Sequence, residues 1–134
     1  EVGALTTIAG QGVWVGAAAL AVAAATGRLA AVHAAVPRVR SAREAGFGAL
    51  VAGGVPPLGA ALLTAAVLGA GAALAAAVAA DPVAWPVAQA AALLITAGLR
   101  RHVTRRLGGV TGDVFGALIE GATAATLVGL ALAG

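Results

Sequence analysis

Few side chains of this chain can do chemistry, and the richest group lies between residues 105 and 120. Arg105 precedes a glycine-rich run at 108–112, Asp113 follows that run, and Glu120 comes seven residues later. The glycines should end one helix, and the apolar period that resumes after Asp113 should begin another. A glycine-rich turn that leads to the free N–H groups of a helix start, with arginine beside it, suits an anionic group such as a phosphate.

Asp113 by itself would repel an anion at this turn. A divalent cation removes the conflict, because Mg²⁺ binds one or two carboxylates together with the phosphate oxygens of a substrate. Thr111 and Asp113 are both natural N-cap residues, so we expect a helix to begin close to Asp113 and to carry Glu120 on the same face, two turns further on. The structural alternative is that Asp113 only caps this helix and Glu120 pairs with Arg28 or another buried donor.

Arg28 and Glu120 both interrupt apolar stretches, where an unpaired charge is costly. Glu120 should therefore pair with an arginine, a metal or a polar substrate. Arg28 lies either at the membrane interface, as arginines near helix ends do, or buried towards the bundle in a functional role. We expect His33 to pack against its neighbours, and His102 to be solvated or to contact lipid headgroups.

The elements that position these residues are membrane helices. Apolar residues make up 61% of the 134 residues and charged residues only 10%, whereas a soluble domain carries about 25% charged residues. Residues 2–27, 45–80 and 82–99 contain no charge, and about 20 apolar residues are enough to cross the hydrocarbon core. No block alternates like a barrel strand, so we predict an all-α, multi-pass transmembrane bundle of about four helices.

Charge placement predicts the orientation of these helices. Arginines cluster at 38–43 and at 100–106, whereas the turn at 81–86 has no basic residue. The positive-inside rule places both clusters in the cytoplasm. Residues 45–56 either lead into the membrane or form a re-entrant segment. The expected membrane helices are 8–27 or longer, 58–80, 83–99 and 114–133, with the middle two forming a tight hairpin.

Two further expectations concern packing. Trp14 and Trp85 are the only tryptophans, and we expect Trp85, at the outer turn, to anchor in the headgroup layer. Small residues such as Gly71 and Gly129 should allow helices to approach closely.

The run 105–120 closely resembles the C-terminal signature of the cobalamin synthase family, the adenosylcobinamide-GDP ribazoletransferases. That signature reads approximately Arg-x-Leu, then Gly-Gly-x-Thr-Gly-Asp-x-x-Gly-Ala, with a glutamate three residues later. Residues 26–28 and 42–48 are similar to upstream segments of the family, and Phe115 stands where an aliphatic residue is more usual. The matching positions are Arg105, Leu107, Gly108, Gly109, Thr111, Gly112, Asp113, Gly116, Ala117 and Glu120.

The resemblance implies a multi-pass enzyme of the bacterial cytoplasmic membrane, in late cobalamin biosynthesis, with its arginine-rich loops in the cytoplasm. Such a transferase joins α-ribazole, or its 5′-phosphate, to adenosylcobinamide-GDP, releases GMP and requires Mg²⁺. The implied metal ligand is Asp113. The implied catalytic residues are Asp113, Glu120 and Arg28, and the implied phosphate-binding residues are Arg105, Gly109, Thr111 and Gly112.

Residues 1–134 are expected to form the C-terminal membrane portion of a single transferase domain whose N-terminal half is absent. The chain begins at Glu1, and it lacks the acidic segment that the family carries in its N-terminal half, since its only aspartates are Asp81 and Asp113. We therefore expect this fragment to be inactive alone. Its expected partners are the two substrates and the lipid bilayer, with no nucleic acid and with self-association left open.

The rival interpretation is a membrane transporter or structural helical bundle with an ion path through Asp113 and Glu120. A transporter should place both carboxylates near the middle of the bilayer, facing a cavity. The transferase instead needs them to open to the cytoplasm beside Arg105.

Overall fold

A computed structural model of the chain describes residues 2–10, 12–37, 50–51 and 53–133. Within these residues the secondary structure is helical, without a strand. The predicted multi-pass helical bundle is confirmed, because α2, α3 and α5 are each long and apolar enough to cross a membrane. The five helices are α1 Val2–Ala9, α2 Val13–Ala34, α3 Pro57–Ala77, α4 Ala84–Leu107 and α5 Gly112–Ala133.

Local chemistry sets several helix ends close to the predicted positions. Pro57 is the first residue of α3, where its missing N–H is not needed. The Asp81 carboxylate accepts hydrogen bonds from the N–H groups of Val83 (2.7 Å) and Ala84 (3.2 Å), which starts α4 after the turn. Helix α4 then continues beyond the predicted end at 99, as far as Leu107.

The N-terminal part of the chain differs from the prediction. A separate short helix, α1, precedes α2, so the helix predicted over 8–27 or longer begins at Val13, and it continues through Arg28 to Ala34 as the prediction allowed. Arg28 is therefore a residue of the helix body. Residues 38–49, which include Arg38, Arg40 and Arg43, lie outside the described part of the chain, and so do residues 45–49 and 52 of the ambiguous segment 45–56.

Helix α5 is the centre of the bundle and packs along both α2 and α4. Helix α3 packs on α2 and α4 without touching α5, and α1 packs on α2 and α5. Two glycines show why small residues are needed here. A Cβ added at Gly129 would lie 2.9 Å from the Ala88 Cβ, and one at Gly27 would lie 2.8 Å from the Ile119 carbonyl oxygen, both too close for a side chain.

The bundle has two distinct ends. Trp85 packs with Ile8 and Leu130 at the end that holds the turn between α3 and α4, which we call the hairpin end. Val110 and Val114 pack with Ala34 at the opposite end, which we call the arginine end because Arg100 and Arg105 lie towards it. Helix α5 has 22 residues and so separates the two ends by about 33 Å.

The expectation that the Trp85 ring anchors in the headgroup layer is wrong. Trp85 does lie at the hairpin end, but only 5% of it is exposed, because Ile8 of the unpredicted helix α1 and Leu130 of α5 enclose it. Trp14 is 81% exposed, as an interfacial tryptophan would be.

A buried polar contact joins three helices in the interior. Gln89 of α4 is fully buried, and its Nε2 donates to the Thr26 hydroxyl of α2 (3.1 Å) and to the Val67 carbonyl of α3 (3.4 Å). The side chain crosses α3 at Gly71, where an added Cβ would lie 2.9 Å from the Gln89 Cδ. Interhelical hydrogen bonds of this kind fix helix positions where no water competes.

Candidate functional site

The site predicted at 105–120 is built on a sharp bend between α4 and α5. Helix α4 ends at Leu107, and Gly108 follows with φ 77°, a left-handed conformation that glycine adopts without strain. Gly109 is buried, and Val110 is fully buried against Ala34 and Phe115. The bend is therefore held from within the bundle, and its position relative to α2 is fixed.

Thr111 is the residue that caps α5. The backbone N–H of Val114 donates to the Thr111 hydroxyl at 3.3 Å, and the N–H of Phe115 donates to the Thr111 carbonyl at 3.1 Å. Asp113 lies in the first turn, is exposed, and makes no hydrogen bond or ion pair with the described residues. The alternative in which Asp113 serves as the cap is therefore wrong, and its carboxylate is available to a ligand.

Asp113 and Thr111 lie at the edge of a groove of about 490 Å³ between α4 and α5. Among the described residues that line this groove, Asp113 is the only charged one. The apolar part of the lining comprises Leu99, Val103, Leu107, Val114, Ala117 and Leu118. The groove can therefore hold an apolar part of a ligand. A polar part of the same ligand would then face the Asp113 carboxylate and the start of α5.

The outward face of α5 carries both acidic residues, as predicted. Asp113, Gly116, Ala117 and Glu120 are all exposed, and their spacing places them on one side of the helix. Glu120 lies about 10 Å deeper along the axis than Asp113, since seven residues separate them. The two small residues between them leave the face flat, so a ligand or another helix can reach both carboxylates.

Arg28 and Glu120 flank the same contact between α2 and α5. Gly27 packs against the backbone of Ile119, and the two charged residues are the next ones along each helix. Both are exposed, and no ion pair joins them in the described part of the chain. The interpretation in which Arg28 is buried towards the bundle is therefore wrong. Arg28 also does not neutralise Glu120, because the two side chains form no ion pair.

The remaining predicted site residues are less closely grouped. Arg105 is exposed on the last turn of α4 and does not line the groove. Gly112 is the exposed first residue of α5, and Gly109 lies buried inside the bend. The structure thus brings Thr111, Gly112 and Asp113 together, with Arg105 at the same end of the bundle.

The carboxylates near the start of α5 suit a metal ion whose other ligands come from a substrate, rather than one that the described residues enclose by themselves. Among the described residues no group of three or more His, Cys, Asp or Glu side chains could enclose an ion. Asp113 offers one unpaired carboxylate, and Mg²⁺ commonly uses one or two carboxylates while substrate phosphates and water complete its shell. Asp113 therefore fits as one ligand of a Mg²⁺ ion that a substrate would share.

Sequence reasoning missed a second polar group, which lies between α2, α3 and α4. The His33 Nε2 and the Thr64 hydroxyl lie 2.9 Å apart, and the Arg100 guanidinium donates to the His33 carbonyl. These three residues are far apart in the sequence. Only their placement along antiparallel helices, towards the arginine end, could have indicated the contact.

Comparison with known proteins shows what the chain resembles over its whole length. The family described as cobalamin-5-phosphate synthase matches residues 1–131. An adenosylcobinamide-GDP ribazoletransferase from Frankia casuarinae is 44% identical over 139 aligned positions, which cover 98% of this chain and 49% of the relative. The chain therefore spans about half the length of this curated relative. No solved structure matches.

Proposed function

Because the chain belongs to the cobalamin-5-phosphate synthase family, we propose that it forms the part of a membrane ribazoletransferase that receives the substrate phosphates. The proposed reaction joins α-ribazole, or its 5′-phosphate, to adenosylcobinamide-GDP. A ribose hydroxyl attacks the phosphorus next to the cobinamide, the bond from that phosphorus to the GMP oxygen breaks, and the hydroxyl proton is released. The products are adenosylcobalamin, or its 5′-phosphate, and GMP.

The observation that carries this proposal is the free carboxylate of Asp113 beside a capped helix start. Because Thr111 binds the N–H of Val114, the N–H groups of Gly112 and Asp113 remain as donors at the first turn of α5. A phosphate oxygen is the natural acceptor for such donors. The apolar groove next to them offers room for a less polar part of the same substrate.

Mg²⁺, when bound, would neutralise charge on the phosphate oxygens as the bond to GMP breaks. Asp113 would hold the metal from one side, and the N–H groups of Gly112 and Asp113 would orient the phosphate. We assign Arg105 and Arg28 to charge neutralisation, because a guanidinium pairs well with phosphate oxygens. Glu120 would contact a second part of the substrate along the same face of α5.

The position of Asp113 favours a transferase over an ion path. Asp113 lies in the first turn of α5 at the arginine end, about 33 Å from the hairpin end that holds Trp85. An ion path would instead place it near the middle of the membrane. We propose that the arginine end faces the cytoplasm of a bacterial cell, where nucleotide substrates are found, and that the protein lies in the inner membrane.

The test is transfer activity of the full-length protein in liposomes, with Asp113→Asn compared against Asp81→Asn. Removing the carboxylate at 113 should lower the rate by about 100-fold or more, as loss of one preorganised electrostatic group does in other enzymes. Asp81→Asn is the matched control, since asparagine also caps helices and residue 81 lies at the hairpin end. Equal rates for Asp113→Asn and the parent protein would contradict the proposal.

A further inference from the structure

A cavity of about 350 Å³ lies between α3 and α4, with residues of α2 and α5 also in its wall. It is separate from the groove that holds Asp113, although Leu118 borders both. Its polar side chains are His33, Thr64, Thr96 and Arg100, and the rest of its lining is apolar. The proposed transfer reaction gives no role to this space.

The lining of the cavity extends along the helix axes and is polar mainly at one end. Helices α3 and α4 are antiparallel, so Thr64 and Arg100 lie on the side of the arginine end, whereas Leu68 and Ala90 lie towards the hairpin. Ten residues of α4 separate Ala90 from Arg100, which corresponds to about 15 Å.

The cavity opens sideways at the level of the membrane. Leu94 is 74% exposed although it lines the cavity, and Thr64 and Leu68 are only half-buried. Helix α3 is buried at few positions, and leucines such as Leu62 (63% exposed) cover its outer surface. The opening between α3 and α4 therefore lies on the outer surface of the described bundle, which is as apolar here as a lipid-facing surface.

At the polar end of the cavity, no described acidic residue pairs with the positive charge of Arg100. The Thr64 hydroxyl donates its one hydrogen to the Ala60 carbonyl at 2.7 Å, so it accepts from the His33 Nε2–H, and the His33 Nδ1 is left as an acceptor with no partner among the described residues. Arg100 uses one N–H on the His33 carbonyl. Among the residues that the structure describes, its other donors have no partner, and none of those that line the cavity is acidic.

We propose that this cavity binds an anionic phospholipid, with an acyl chain in the apolar part and the phosphate at Arg100. A guanidinium with free donors pairs with phosphate oxygens, and basic pockets between membrane helices are typical sites for anionic lipids. The free His33 Nδ1 suits a headgroup that carries a hydroxyl donor, such as phosphatidylglycerol. This inference does not depend on the transfer reaction.

The bound lipid would also join α3 more firmly to the bundle. Among the described helices, α3 contacts only α2 and α4, and the cavity separates it from α4 on the side of the arginine end. A ligand that binds the folded state alone raises the free energy of unfolding with the logarithm of its concentration relative to its Kd. Phosphatidylglycerol should therefore raise the melting temperature.

The experiment measures lipid retention by native mass spectrometry and thermal unfolding of the full-length protein in a non-ionic detergent. The probes are phosphatidylglycerol, phosphatidylcholine, diacylglycerol and inorganic phosphate. We expect retention and stabilisation with phosphatidylglycerol, and neither effect with diacylglycerol or phosphate alone. Arg100→Gln should weaken phosphatidylglycerol binding by about tenfold, whereas Arg106→Gln, which removes the same charge from an exposed position of α4, should change it by less than about twofold.

A second variant guards against misfolding of Arg100→Gln. Ala97→Phe fills the apolar part of the cavity and leaves Arg100 unchanged, so it should abolish lipid retention without lowering the melting temperature of the lipid-free protein. The proposal is overturned if Ala97→Phe retains phosphatidylglycerol, or if Arg100→Gln and Arg106→Gln weaken it equally. Equal binding of phosphatidylcholine, or stabilisation by free phosphate, would overturn it as well.

Discussion

The hydroxyl of Thr111 accepts a hydrogen bond from the backbone N–H of Val114 at 3.3 Å, and this contact begins α5. The Asp113 carboxylate, two residues further on, is therefore not needed to cap the helix. Thr111 therefore performs the capping that the sequence allowed for either Thr111 or Asp113, and the Asp113 carboxylate is left for the metal role that we propose.

Replacing Thr111 with alanine should destabilise the protein by about 1 kcal/mol, because the N–H of Val114 loses its acceptor. Thr111→Ser keeps the hydroxyl and should retain most of that stability. Thermal unfolding in detergent measures both. Asp113→Ala should cost less than Thr111→Ala, and the opposite order would mean that Asp113 is the true cap.

Gly71 and Gly69 offer a matched pair on one helix. A side chain at 71 meets the buried Gln89 amide, whereas nothing lies within 4 Å of a Cβ added at 69. Gly71→Ala should therefore lower the free energy of unfolding by about 1–3 kcal/mol, as overpacking does. Gly69→Ala should be neutral or stabilising by up to about 1 kcal/mol, because alanine favours the helix. Equal melting temperatures for the two variants would refute the close contact of α3 with Gln89.

Glu120→Gln separates a functional carboxylate from a structural one. Glu120 has no ion-pair partner in the described part of the chain, so the amide should leave stability unchanged or raise it, while the transfer rate falls by about tenfold or more. Rate and melting temperature are measured on the same preparation. A loss of stability with full activity would show that Glu120 is part of a structural ion pair.

Sequence reasoning succeeded where a local rule decides the outcome. The helix end at Gly108, the start of α3 at Pro57 and the start of α5 beside Asp113 all follow from residues within a few positions of each other. Helical spacing also placed Asp113 and Glu120 on one face. The resemblance of 105–120 to a family signature was sufficient to identify the family.

Sequence reasoning failed where contacts between residues far apart in the sequence determine the structure. Trp85 is buried because Ile8, 77 positions earlier, comes to lie against it. The contact between His33 and Thr64 depends on how α2 packs on α3, which no short-range pattern encodes. The same limit applies to Arg28, whose exposure follows from the tight packing of Gly27 on α5.

The most direct test of the account is the Mg²⁺ dependence of transfer by full-length Asp113→Asn, with Asp81→Asn measured beside it. If Asp113 is a ligand of the metal, the Asp113→Asn variant should need a Mg²⁺ concentration higher by about tenfold or more to reach half its maximal rate. The neutral amide oxygen of asparagine binds a hard cation more weakly than a carboxylate does. The Asp81 variant should keep the parent value. An unchanged Mg²⁺ requirement in Asp113→Asn would contradict the assignment of this carboxylate to the metal.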